Sequence, residues 1–168
     1  PAKEPRRHWV QAEKGFPLRV PKAFADKMSA GDIHDPLLRQ VLPIHEETIS
    51  VSGYIDDPLM ERDANPTKGL LHKYRSRVLV ILGGACAVHC RYCFRRHFPY
   101  QDNGLSQQEF NDIVQYVGRF PEVNEVILSG GDPLISSNSR LARLIDALET
   151  VPHVSRIRFH TRTPVVLP

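Results

Sequence analysis

The chain has 168 residues, 41% of them apolar and 24% charged, with a net charge of +3. This is the composition of an ordinary globular protein of about one domain, at ~100–200 residues per domain, and it excludes a fibrous or low-complexity chain. No run of ~18 apolar residues is present, which excludes a membrane-spanning helix. The basic residues are scattered apart from Arg91, Arg95 and Arg96, which argues against a nucleic-acid partner.

Residues 1–70 hold eight of the fourteen prolines and only short periodic pieces. Asp35-Pro36-Leu37 and Asp57-Pro58-Leu59 each predict a helix start, with aspartate as N-cap and proline at the first helical position. The first opens an apolar stretch, Leu37, Leu38, Val41 and Leu42, that Pro43 closes. The pattern predicts a lead-in of short helices and turns over 1–70, its capping aspartates structural. Gly69 to Arg77 then reads as a basic turn entering a strand. The other reading of the same residues is a phosphate grip by Lys73 and Arg77, with the Tyr74 ring packed on a flat cofactor.

From Arg77 the texture changes. Val78-Leu79-Val80-Ile81-Leu82 is a continuous apolar run ended by Gly83-Gly84, as expected of a strand buried on both faces of a parallel sheet. Ser106-Gln107-Gln108-Glu109 is a capping box, followed by Phe110, Ile113, Val114 and Val117 at helical spacing. Val126-Ile127-Leu128 is a second strand running into Ser129-Gly130-Gly131-Asp132. Leu141, Leu144, Ile145 and Leu148 share one face of a second helix, and Ile157 to Thr161 is a third strand. This alternation predicts a βαβαβ unit over 71–168 with a parallel sheet and the site at the carboxyl ends of its strands. Three strands cannot close a barrel. Opening on Pro1 and closing on Pro168 just after a strand, the chain reads as a segment of a longer protein.

All three cysteines fall within eight residues, Cys86, Cys90 and Cys93, in a CxxxCxxC array. Three closely wound thiolates suit a [4Fe–4S] cluster with one iron left for a small molecule. The same thiols completed by His89 or His97 would make a zinc knuckle, and with the nearby arginines a zinc-bound nucleic-acid module. No further cysteine is available for a disulfide framework and no apolar leader is evident, which predicts the reducing cytoplasm. The Gly130-Gly131 pair lets backbone approach a ligand closely.

The segments GLLHKYRSRVLV, CAVHCRYCFRRHFPY, LSGGDPL and RTPVVLP, in this order from about Phe16 onward, resemble the lysine 2,3-aminomutase family of radical S-adenosylmethionine enzymes. The cysteine loop and the upstream DPLLRQVLP are most similar to its branch that makes β-lysine for elongation factor P. The resemblance implies an isomerase in the first part of a partial (βα)6 TIM-like barrel, using a [4Fe–4S] cluster, S-adenosyl-L-methionine and pyridoxal 5′-phosphate. It implies L-lysine as substrate, an external electron donor and, indirectly, elongation factor P with its lysyl-transferring enzyme; a homo-oligomer is compatible with it. An aminomutase of free amino-acid metabolism is the alternative.

By that resemblance Cys86, Cys90 and Cys93 match the cluster ligands, and Tyr92 the aromatic position whose backbone meets the adenine. Ser129, Gly130, Gly131 and Asp132 match the turn near the nucleotide's amino group, and Arg162 an arginine towards its carboxylate. Lys73, Tyr74 and Arg77 match the pyridoxal phosphate pocket, although Lys73 stands where an arginine is common. Arg95 matches the arginine that pairs with the lysine carboxylate. The lysine that carries pyridoxal phosphate matches none of the six lysines here. It is expected downstream, so this segment alone is expected to be inactive.

Overall fold

A computed structural model describes residues 12–100, 103 and 105–167. The first eleven residues of the lead-in and Pro168 of the closing motif lie outside the described residues. The chain divides into two compact units, each discontinuous in sequence. One takes in the chain up to Pro58, with Ala87–Phe98 and the residues from Val165; the other comprises Leu59–Cys86 and Pro99–Pro164.

The second unit is built on a four-stranded sheet. Its strands are β1 (Leu70–Tyr74), β2 (Arg77–Ile81), β3 (Glu125–Ser129) and β4 (Arg156–Phe159), in spatial order β1-β2-β3-β4. β2, β3 and β4 are parallel, as the βαβαβ pattern predicts. β1 was expected as a basic turn. It is instead a strand antiparallel to β2, with Leu70 opposite Val80 and Leu71 opposite Leu79, so the sheet is mixed. The reason is local: Leu70 and Leu71 are both buried, and a two-residue connection at Arg75-Ser76 leaves no chain for anything but a hairpin.

The crossovers are α1 (Gln107–Gly118) and α2 (Asn138–Glu149). Phe110, Ile113 and Val117 of α1 and Leu141, Leu144 and Leu148 of α2 pack on alternate strand residues Val78, Val80, Val126 and Leu128 in one core. Burying each such side chain contributes about 1.5–3 kcal/mol. Ile145 and Val114, on the flanks of the same stripes, are half-buried. Ser106 starts α1 as expected: its Oγ accepts from the Gln108 N–H at 3.2 Å, and Glu109 Oε2 accepts from the Ser106 N–H at 2.8 Å and from its hydroxyl.

The first unit holds a smaller core of Phe24, Val41, Val88 and Val166 among single helical turns at Lys22–Ala25, Leu38–Gln40 and His45–Thr48. The second turn starts at Leu38 with Leu37 as its N-cap, two residues later than expected. Asp35 sits just ahead of it, its Oδ1 accepting from the Leu37 and Leu38 N–H groups at 2.9 Å each and its Oδ2 from the Ser29 N–H at 3.0 Å. Those backbone donors, Leu38 first, hold its carboxyl below the usual carboxylate range. The helix expected at Asp57-Pro58-Leu59 does not form; a turn there runs into Met60, whose φ of 52° ends any helical path. Among the described residues no helix is long and apolar enough to cross a membrane.

The Ser106 hydroxyl, then its N–H, with Lys68 3.3 Å away, lower the Glu109 carboxyl from 4.5 to about 2. A depressed carboxyl stabilises the fold above its unfolded value and stops doing so as pH falls through its folded one. The stability gap between wild type and Glu109→Gln is therefore expected to be full at pH 6 and to close between about 4.5 and 2. Thermal unfolding across pH checks it; a gap that is flat with pH contradicts it.

Candidate functional site

At the carboxyl ends of β2 and β3 two glycine turns lie against each other. The Gly131 N–H donates to Gly83 O at 2.6 Å and the Asp132 N–H to Ala85 O at 2.8 Å. Side chains are forbidden here: a Cβ on Gly131 would stand 2.3 Å from Ala85 O, and one on Gly130, whose φ is 112°, 2.7 Å from Gly83 O. The Tyr100 hydroxyl donates to Gly130 O at 2.8 Å, and a Cβ on Gly84 would meet that tyrosine at 2.8 Å. The close approach that the Gly-Gly pair predicted is thus made first to the protein's own backbone.

Asp132 binds this turn to the exit of β4. Its Oδ1 accepts from the Leu134 N–H at 3.0 Å and the Thr161 hydroxyl at 2.6 Å; its Oδ2 accepts from the N–H groups of Arg162 at 2.8 Å and Thr163 at 2.9 Å. Burial opposes ionisation of this carboxyl. The Thr161 hydroxyl and the three backbone donors outweigh it and hold the group below the usual carboxylate range. Ser129 is buried, its carbonyl accepting from the Leu82 N–H at 3.1 Å. Arg140, in the first turn of α2, donates from Nη2 to Leu82 O at 3.1 Å and Leu105 O at 2.7 Å, with its guanidinium 5.0 Å over Phe110. Leu82, Gly83, Gly84, Ala85, Asp132 and Arg140 line an open depression of about 310 Å³.

In this unit the chain runs from the β2 turn to Cys86. Cys90 and Cys93 belong to the first unit, on a tight turn closed by the Cys93 N–H to Cys90 O at 3.0 Å. None of the three cysteines is in a disulfide, and all are half-buried. Burial pushes the Cys93 thiol up, the Arg95 N–H opposes it, and Cys90 beside it adds to the rise. Arg95 is 9% exposed, its guanidinium 4.8 Å over Phe94, while Tyr92 is an exposed side chain. His89 stacks on Phe16 at 4.6 Å and its Nδ1 lies 2.8 Å from Pro17 O. His97 Nε2 faces Asp56 at 3.8 Å.

The pyridoxal-type trio lies elsewhere. Lys73, Tyr74 and Arg77 flank the β1–β2 hairpin at the amino end of β2, one strand length, roughly 13 Å, from the glycine turns. Lys73 Nζ donates to Leu59 O. Arg77 Nε is 3.5 Å from Glu125 Oε2, and its guanidinium is 6.0 Å over Tyr74. Glu125 is buried and also faces Arg158 Nη2 at 2.7 Å and Arg156 Nη1 at 3.9 Å. Sequence reasoning passed over Glu47, Tyr100, Glu125 and Arg140. Only Glu125 carried a signal, a charge opening an otherwise apolar strand; the others act through residues 30 or more positions away in the chain.

Residues 80–168 match the Radical SAM superfamily, and the chain belongs to it. The chain is also 47% identical over 95% of its length to the L-lysine 2,3-aminomutase of Haemophilus influenzae, covering 47% of that protein. It is 47% identical over 94% of its length to the Escherichia coli L-lysine 2,3-aminomutase, covering 46% of it, and 34% identical to that of Clostridium subterminale, covering 40%. The chain spans about half or less of the length of these curated relatives. The superfamily implies a [4Fe–4S] cluster and S-adenosylmethionine, which replaces the zinc-bound alternative. Among the described residues no group of three or more His, Cys, Asp or Glu side chains is placed to hold a metal ion, Cys86, Cys90 and Cys93 included. The donor chemistry fits a cluster: three thiols outside any disulfide, and no further cysteine to fill the last position.

Asp132→Asn can keep the bonds at Oδ1, but its amide nitrogen would face the Arg162 and Thr163 N–H groups. Two donors left unpaired predict a loss of about 1–3 kcal/mol in urea-unfolding free energy. A variant as stable as wild type would show that the turn does not depend on this carboxylate.

Proposed function

We propose that the whole protein moves the amino group of L-α-lysine from carbon 2 to carbon 3, giving β-lysine, with a hydrogen passing the other way. The observation that carries this is the 47% identity to L-lysine 2,3-aminomutases over 95% of the chain. It acts in the cytoplasm with an external electron donor and serves modification of elongation factor P through that factor's lysyl-transferring enzyme. When bound, the cluster with S-adenosylmethionine supplies a radical, and pyridoxal phosphate carries the migrating nitrogen.

The chain's own residues place these groups. Cys86, Cys90 and Cys93 hold the cluster through three thiolates. The backbone of Tyr92 meets the adenine, and Ser129, Gly130 and Gly131 present the nucleotide's amino group to main-chain atoms. Asp132 acts by shaping that turn, since its oxygens already accept four internal hydrogen bonds. The same carboxylate anchors the Arg162 backbone, which sets where the arginine reaches the nucleotide's carboxylate. Lys73, Tyr74 and Arg77 hold the pyridoxal phosphate end, with Glu125 steadying Arg77. Arg95 pairs with the lysine carboxylate, and its low exposure makes that pair strong because water is largely excluded.

Replacing any one of Cys86, Cys90 or Cys93 by alanine in the whole protein is expected to abolish both iron–sulfide loading and reductive cleavage of S-adenosylmethionine. Iron analysis and detection of 5′-deoxyadenosine check this; a variant retaining both refutes the ligand assignment.

Arg95→Lys is expected to leave cluster loading intact while raising the Michaelis constant for lysine or lowering turnover. The loss is equivalent to roughly 2–5 kcal/mol of interaction, because an ammonium cannot reproduce the guanidinium fork. Unchanged kinetics would return Arg95 to a packing role.

A further inference from the structure

The turn carrying Cys90 and Cys93 is gripped by the proline-rich lead-in through one carboxylate. Glu47 sits in the His45–Thr48 turn, its Oε1 accepting from the Ile44 N–H at 3.1 Å. The Arg91 Nε donates to Glu47 Oε1 at 2.9 Å and its Nη2 to Oε2, a two-pronged pair; its Nη1 donates to Phe16 O at 2.7 Å. Arg96 Nη1 donates to the same Glu47 Oε2 at 2.7 Å. Both guanidinium groups lie 5.0 Å over the Phe16 ring. The side chains are 6% exposed for Arg91, 10% for Glu47 and 16% for Arg96. Two backbone bonds complete the grip, Arg91 N–H to Gln40 O at 2.8 Å and His89 N–H to Arg19 O at 2.9 Å.

Arg91 lies between Cys90 and Cys93, and Arg96 follows Cys93 by three residues, so the groups Glu47 holds are the turn itself. Surface ion pairs contribute little, but a buried carboxylate shared by two arginines is different: removing it leaves two desolvated positive charges unmatched. Groups beside metal ligands orient them and tune the metal's potential through charge. We propose that Glu47 is the positioning residue of the cluster turn, fixing the path through Cys90 and Cys93 and offsetting part of the positive charge of the two arginines, which would otherwise raise the cluster's potential. This rests on the cluster assignment proposed above.

The test uses the whole protein, reconstituted anaerobically with iron and sulfide. E47Q is expected to lose iron to a chelator roughly 10–100-fold faster than wild type. The midpoint potential of whatever cluster it keeps should lie higher, because a negative charge has gone from beside two positive ones. Adding R96Q to E47Q removes the surplus charge and is expected to move both measurements back towards wild type. The inference is overturned if E47Q changes neither, even with a lowered melting temperature. It is equally overturned if the double variant is no better than E47Q in iron retention and potential, which also decides the case should E47Q fold poorly. C93A is the control: iron loss in C93A with E47Q unchanged removes the Glu47 inference alone. Full iron retention in C93A removes the cluster assignment and this inference with it.

Discussion

The loops leaving β2 and β3 hydrogen-bond to each other where no Cβ fits between the two main chains, and they are organised by that constraint. Gly131 donates to Gly83 O at 2.6 Å, in a space where any side chain would strike the Ala85 carbonyl. With that contact made, the β3 turn can run alongside the chain leading to Cys86, and Asp132 can reach across to Thr161, Arg162 and Thr163. One half-buried carboxylate thereby joins the exits of β3 and β4. The glycines act as access for the backbone, the aspartate as its lock.

The first unit solves a different problem. Its short turns bury few apolar side chains, so a cysteine-bearing loop could not be positioned by core packing alone. Charge and aromatic contacts take that role: Phe16 lies under both Arg91 and Arg96, and Glu47 is common to both guanidinium groups. Proline-rich lead-ins are easily read as spacers. Here the lead-in supplies the carboxylate, the ring and four carbonyls, of Phe16, Pro17, Arg19 and Gln40, that the loop binds.

The sheet face opposite the helices has its own charge arrangement. Glu125 is buried at the start of β3 with Arg77 from β2 and Arg156 and Arg158 from β4 around it. Partners lie on both neighbouring strands because parallel registry sets Arg77 and Arg156 beside Glu125. This gives Arg77 a fixed direction at the amino end of the sheet, a strand length from the glycine turns. Ser129, Gly130, Gly131 and Asp132 therefore lie at the opposite end of one set of strands from Lys73, Tyr74 and Arg77.

Much of this was legible in one dimension because it rests on short-range rules. The capping box at Ser106–Glu109, the 3.6-residue stripes of α1 and α2, the apolar runs of β2 and β3 and the CxxxCxxC array all act within a few residues of themselves. Even the resemblance of the cysteine and Gly-Gly segments to a known family could be read by spacing and order. The β1 hairpin was missed because Leu-Leu-His-Lys-Tyr has no clean alternation, and its strand character comes from pairing with Val80 and Leu79. The helix expected at Asp57 failed because a cap starts a helix only where the following backbone can continue it, and Met60 does not. The sequence by itself determined which chemical groups the chain offers, since thiols, glycines and guanidinium groups are properties of the chain. Only the tertiary structure decided what holds them in place. Glu47 on Arg91 and Arg96, Asp132 on the β4 exit and Glu125 on Arg77 bridge 29 to 49 positions, and no local pattern encodes a partner that far away.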